Sequence, residues 1–115
     1  MESKSLSSLL DFHGKCVMVT GGCQNFGKEI SDAFAEFGAN LVVTSRDEIK
    51  AQHRAEELKS QFGVKAIGIG MDVTEEESIK RAFKIAADEF GKLDALVNNA
   101  GGHGKGTTGT LVDEP

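Results

Sequence analysis

The chain has 115 residues, of which 39% are hydrophobic and 27% charged, and its net charge is −5. One domain is the expectation for this length and composition; the acidic balance argues against nucleic-acid binding, and no apolar run nears the roughly 20 residues that cross a bilayer. The first residues lack the apolar core of a signal peptide, and two cysteines, Cys16 and Cys23, are too few for a disulfide framework or a zinc site, so the cytoplasm is the expected location.

Residues 1–13 read as an N-terminal extension. An apolar run at 16–20 reads as a strand that enters a glycine turn. A helix follows from about Phe26 to Phe37, with Ile30, Phe34 and Phe37 on one face and Gly38 at its end. Residues 41–44 form the second strand. The second helix runs from about Glu48 to Phe62, with Ala51, Ala55, Leu58 and Phe62 as its apolar stripe and Gly63 as its stop. Residues 65–69 form the third strand. The third helix is expected to open on a capping box made by Thr74 and Glu77, to carry acidic residues in its first turn and to stop at Gly91. Its buried stripe is Ile79, Phe83, Ala86 and Phe90. Residues 95–97 form the fourth strand. Residues 98–115 hold five glycines and little periodicity, and 101–115 read as a Gly-rich tail or loop.

Alternation of strands and helices means βαβ units and a parallel sheet. Right-handed crossovers then put the first strand in the centre, with order 3-2-1-4. The expected fold is α/β: a partial, Rossmann-type doubly wound parallel sheet over residues 14–100, truncated after the fourth strand.

The glycine turn carries the chemistry. A strand that runs into Gly21 and opens a helix at Gly27 presents backbone N–H groups at a helix N-terminus, where a phosphate binds well. Gly21 permits the tight turn, and Gly27 lets helix and strand approach closely. Asn25 stands where glycine would be usual, and Asn is the side chain that best tolerates the left-handed region. Gly21, Cys23, Gln24, Asn25, Phe26 and Gly27 are therefore the candidate phosphate cradle of a dinucleotide site.

Four motifs coincide in order and spacing: Gly14 and Lys15 before the first strand; the turn from Thr20 through Gly21, Gly22, Cys23, Gln24, Asn25 and Phe26 to Gly27; Asp72 and Val73 after the third strand; and Asn98, Asn99, Ala100 and Gly101 after the fourth. Together they resemble the N-terminal, cofactor-binding half of the short-chain dehydrogenase/reductase family, whose turn is Thr-Gly-x-x-x-Gly-x-Gly and whose most distinctive local signature is Asn-Asn-Ala-Gly. Asn25 is the departure within the glycine motif.

The resemblance implies an NAD(P)-dependent hydride transfer between a nicotinamide and a carbonyl or alcohol. In the family register Ser45 occupies the position where an acid would hold the ribose 2′-hydroxyl of NAD, and Arg46 follows. A hydroxyl beside a guanidinium suits the 2′-phosphate, so NADP is expected over NAD. Asp47, about 20 residues after Gly27, falls past the strand end and is assigned to capping the second helix. Asp72 and Val73 are placed by the resemblance at the adenine, and Asn99, Ala100 and Gly101 at the cofactor edge.

The family's catalytic Ser, Tyr and Lys lie beyond the Asn-Asn-Ala-Gly motif, and this sequence contains no Tyr. No catalytic residue is assigned, and the chain alone is expected to be inactive, with an exposed apolar edge at the fourth strand and marginal stability. A small-molecule substrate and a homo-oligomer are expectations for the complete enzyme only. His13, His53 and His103 give no metal spacing. The competing reading is a non-catalytic nucleotide-binding or regulatory protein derived from the same family; a sugar-nucleotide epimerase is disfavoured by Asn-Asn-Ala-Gly.

Overall fold

The computed structural model describes residues 11–99. Seven elements alternate along them: β1 (Cys16–Thr20), α1 (Asn25–Glu36), β2 (Asn40–Ser45), α2 (Glu48–Phe62), β3 (Ala66–Gly70), α3 (Glu76–Phe90) and β4 (Ala95–Asn98). The strands form one parallel sheet of order β3-β2-β1-β4, with Val17 opposite Leu41 and Ala95, and Leu41 opposite Ala66. This is the topology that the alternation predicts, and each element lies within a residue or two of its expected span.

Strand alternation assigns the core to two layers. Val17, Val19, Leu41 and Val43 face α1 and α2, where they meet Ala35, Ala55 and Leu58. Cys16, Met18, Val42 and Ile69 face α3, where they meet Ala82 and Ala86. β1 is buried at every residue, as a central strand covered on both faces must be. Complete burial of a side chain such as Leu58 contributes about 2 kcal/mol. In β3 the face toward α2 carries Gly68, where a Cβ would stand 2.0 Å from the Ala51 carbonyl oxygen. The missing side chain lets α2 lie directly on the strand.

One local feature differs from the sequence expectation. The Thr74 and Glu77 capping box does not form: Glu75 is the N-cap of α3, without a side-chain cap. Thr74 instead gives its N–H and hydroxyl to the Asp72 carboxylate, at 2.9 and 2.7 Å. That Asx-type turn captures the cap residue and starts the helix later. Phe12, within the stretch read as an extension, packs edge-on against Phe34 at 5.3 Å, and its N–H donates to Phe37 O. Arg54, which lies in α2 between Ala51 and Leu58 of the apolar stripe, is 3% exposed.

Candidate functional site

The carboxyl end of β1 lies between β2, reached through α1, and β4, reached from the opposite side of the sheet. In open α/β sheets the crevice at such a switch point is where ligands bind. Gly21 turns the chain out of β1 with φ +68°, and Asn25 has φ +55°, the one non-glycine residue with positive φ among the described residues. Asn thus does the work of the glycine it stands in for. Gln24 is extended at the N-cap of α1 and makes no side-chain cap, and no acid lies in that helix's first turn. The other helices are compensated: Asp47 caps α2, followed by Glu48, and α3 opens with Glu76 and Glu77. The positive end of the α1 dipole is left for an outside anion.

The turn is packed to its limit against the strand ends. A Cβ on Gly27 would stand 1.8 Å from Gly21 O and 2.9 Å from Asn99 Nδ2. Asn99 Nδ2 donates to Gly21 O at 3.3 Å. The Asn99 N–H donates to Thr20 Oγ1 at 2.9 Å, and Thr20 Oγ1 donates in turn to Asn98 Oδ1 at 3.0 Å. Both asparagines therefore tie β4 to the end of β1, and the Asn99 side chain is committed to the turn.

Sequence reasoning missed Arg54. Its guanidinium reaches from α2 under the turn: Nε donates to Gly22 O at 3.3 Å, Nη2 is shared among Lys28 O at 3.0 Å, Ser31 Oγ at 2.9 Å and the Asp32 carboxylate, and Nη1 donates to Glu57 Oε1 at 3.1 Å. The Ser31 hydroxyl lies 3.2 Å from Gly22 O. The available signal was position: Arg54 follows Ala51 by three residues and precedes Leu58 by four, inside the apolar stripe of the helix.

At the end of β2, Ser45 Oγ accepts from the Asp47 N–H at 3.1 Å. Asp47 Oδ1 accepts from the N–H groups of Ile49 and Lys50 at 3.0 and 3.2 Å, which is the cap expected of it. Arg46 is exposed and makes no salt bridge among the described residues. Asp72 is held below the ordinary carboxylate range, first by its bonds from Thr74 and with a smaller contribution from the Arg46 charge. Its own N–H donates to Ser78 Oγ at 2.8 Å. Arg81, across the end of β3, donates to Gly70 O at 3.3 Å and lies 3.8 Å from Glu48. The Cys23 thiol points at Thr44 O and Lys50 O, and burial pushes it up, so it is a packing group rather than a thiolate. Val73 packs into the α3 layer. Phe26 is 72% exposed at the mouth of the turn. Ala100 and Gly101 lie outside the described residues.

A family described as short chain dehydrogenase matches residues 15–114. A 12alpha-hydroxysteroid dehydrogenase from Clostridium sp. is 40% identical over 95 residues, 77% of this chain and 37% of the relative. Among solved structures, an NADPH-dependent 3-quinuclidinone reductase from Rhodotorula rubra superposes with a TM-score of 0.80 at 33% identity, over 89% of this chain and 38% of that one. A 3-ketoacyl-(acyl-carrier-protein) reductase from Brucella melitensis, complexed with NADH, gives 0.70 at 35% identity, over 77% and 35%. The chain thus spans well under half the length of these relatives.

Proposed function

The chain belongs to the short chain dehydrogenase family, and on that premise we propose that it forms the adenosine and pyrophosphate half of a nicotinamide dinucleotide site that prefers NADP to NAD. One observation carries the reading: α1 begins without a capping side chain or an acid, behind a turn made possible by Gly21, Asn25 and Gly27. That donor set fits a pyrophosphate, since backbone N–H groups and a helix dipole offer donors and positive potential without a competing carboxylate.

Gly21, Cys23, Gln24, Asn25, Phe26 and Gly27 are assigned to the phosphates. Ser45 and Arg46 are assigned to a ribose 2′-phosphate, the hydroxyl and the unpaired guanidinium supplying donors. Asp47 is assigned to the cap of α2, where its Oδ1 accepts from the N–H groups of Ile49 and Lys50. Asp72 and Val73 border the adenine; Asp72 offers Oδ2, since Oδ1 is taken by Thr74. Ala100 and Gly101 are assigned to the cofactor edge, with Asn99 supporting it from behind. Of the similar structures, one is NADPH-dependent and another holds NADH, so the cofactor choice rests on these local residues.

The bound nicotinamide supplies or accepts the hydride in reactions of this kind. We assign to the complete enzyme a hydride transfer between NADP(H) and a small carbonyl or alcohol substrate, in the cytoplasm and as a homo-oligomer. To this 115-residue chain, which contains no Tyr, we assign nucleotide binding without turnover. That second, binding-only role is the alternative for the protein as a whole.

Calorimetric titration with NADPH and NADH tests the reading. NADPH binds more tightly, and Arg46→Ala removes most of the difference. Equal affinities in the unaltered chain overturn the NADP assignment, and no affinity for either overturns the site.

A further inference from the structure

We propose that Arg54 is a positioning residue for the phosphate site: together with Ser31 it holds the Gly22 carbonyl inward and so aims the Cys23 N–H outward, at the ligand. The inference rests on the cofactor reading given above and adds a residue to it from outside the glycine motif. Its ground is the peptide geometry of the turn. The Gly22–Cys23 peptide is trans, as are all peptides of the described residues, so its C=O and N–H point in opposite directions. Gly22 O is directed at Arg54 Nε, at 3.3 Å, and at the Ser31 hydroxyl, at 3.2 Å, whose one proton is shared with Lys28 O at 3.0 Å, in a space where Arg54 and Ser31 are both almost wholly buried. The Cys23 N–H, pointing the opposite way within the peptide plane, therefore faces away from the interior, and it makes no hydrogen bond within the described residues.

The same guanidinium also fixes what stands behind the turn. Nη2 binds Lys28 O, Ser31 Oγ and Asp32 on α1, while the side chain is rooted on α2. One cation thus locks the turn, α1 and α2 in a single geometry. Only a planar fork reaches all of these acceptors at once; a lysine ammonium keeps the charge but not the reach. Asp32 and Glu57 balance the charge from the more exposed side, at 30% and 44% side-chain exposure.

The test is an NMR titration of the full 115-residue chain with ADP and with adenosine, following the Cys23 amide. In the unaltered protein both bind, and the Cys23 amide signal moves with ADP. In Arg54→Lys the ADP affinity falls about tenfold, the adenosine affinity changes by less than about twofold, and the Cys23 amide no longer follows ADP. Ser31→Ala, a smaller perturbation that keeps Arg54, lowers ADP affinity about threefold and decides the matter if Arg54→Lys does not fold. Equal losses for ADP and adenosine would mean general loosening and overturn the proposal, as would unchanged ADP affinity in a folded variant. Failure of the unaltered chain to bind ADP overturns the cofactor reading itself.

Discussion

Asn99 and Gly21 are joined across the switch point: the Asn99 side-chain amide donates to the Gly21 carbonyl oxygen at 3.3 Å, over 78 residues of sequence. The bond holds the end of β4 against the first residue of the turn, where the Gly27 backbone also arrives. A loop that must keep its N–H groups aimed at a ligand gains from having its carbonyls occupied from behind. Asn99→Ala leaves this acceptor without that donor and is expected to cost about 1 kcal/mol. Asn99→Asp replaces the donor with a carboxylate oxygen facing a carbonyl oxygen and costs more. Urea denaturation of the two variants gives the order; equal losses would mean that the Asn99 amide does not hold Gly21.

Glycines at two close contacts should separate stability from binding. In Gly27→Ala the new methyl collides with the Gly21 backbone, and in Gly68→Ala with the Ala51 backbone, at 1.8 and 2.0 Å. Neither obstacle is a side-chain end that swings aside, so each variant is expected to lose about 2 kcal/mol or more. Gly27→Ala also displaces the turn and abolishes NADPH binding. Gly68→Ala, in β3 and outside the turn, retains binding in the folded fraction. Thermal melts with and without NADPH distinguish them, because ligand raises the melting temperature of Gly68→Ala only.

Asp47 is the residue that spacing alone would select as the ribose acid of an NAD site. One oxygen of its carboxylate, Oδ1, accepts from the N–H groups of both Ile49 and Lys50. Asp47→Ala is therefore expected to lose about 1 kcal/mol of stability, the usual cost of an N-cap. The ratio of NADPH to NADH affinity stays as it was. A shift of that ratio would return Asp47 to the cofactor.

What the sequence made legible is what local rules decide. β-branched runs between capped or glycine-ended helices specify the four strands and their order, and the αL tolerance of Asn25 and the capping role of Asp47 follow from one residue's own chemistry. Arg54 was not legible in that way, because a lone cation on a helix reads as solvated until the acceptors Gly22 O and Lys28 O, contributed by other elements, are known. Its place inside the Ala51, Ala55 and Leu58 stripe was the one available hint. Thr74 misled for the opposite reason: its capping pattern with Glu77 is genuine, but Asp72, two residues earlier, competes for the same hydroxyl and N–H and takes both. For Asn99, the sequence located the residue at the strand end but not the direction of its amide, which is set by the neighbouring Gly21.

The pair Cys16 and Asp94 should limit stability at both ends of the pH scale. Asp94 Oδ2 accepts from the Cys16 N–H at 2.8 Å and lies 3.3 Å from Lys92, and its carboxylate is held below the ordinary range, first by that backbone bond. A depressed carboxylate contributes stability above its unfolded pKa, about 3.9, and loses it as the pH falls below that value through the folded one. The Cys16 thiol behaves inversely. Burial, with the Asp94 charge added, pushes it up to about 11. Its contribution is complete below the unfolded value, about 8.5, and is lost as the pH rises from there to about 11. Asp94→Asn keeps an oxygen to accept from the Cys16 N–H but removes the charge. Its melting temperature should fall less steeply in acid than that of the unaltered chain, and the alkaline loss should shrink too, because the Cys16 pKa comes down. Cys16→Ala should flatten the alkaline limb alone. Melting temperatures of the three proteins from about pH 3 to 11 provide the check, and an alkaline limb unchanged in Cys16→Ala would show that another group controls it.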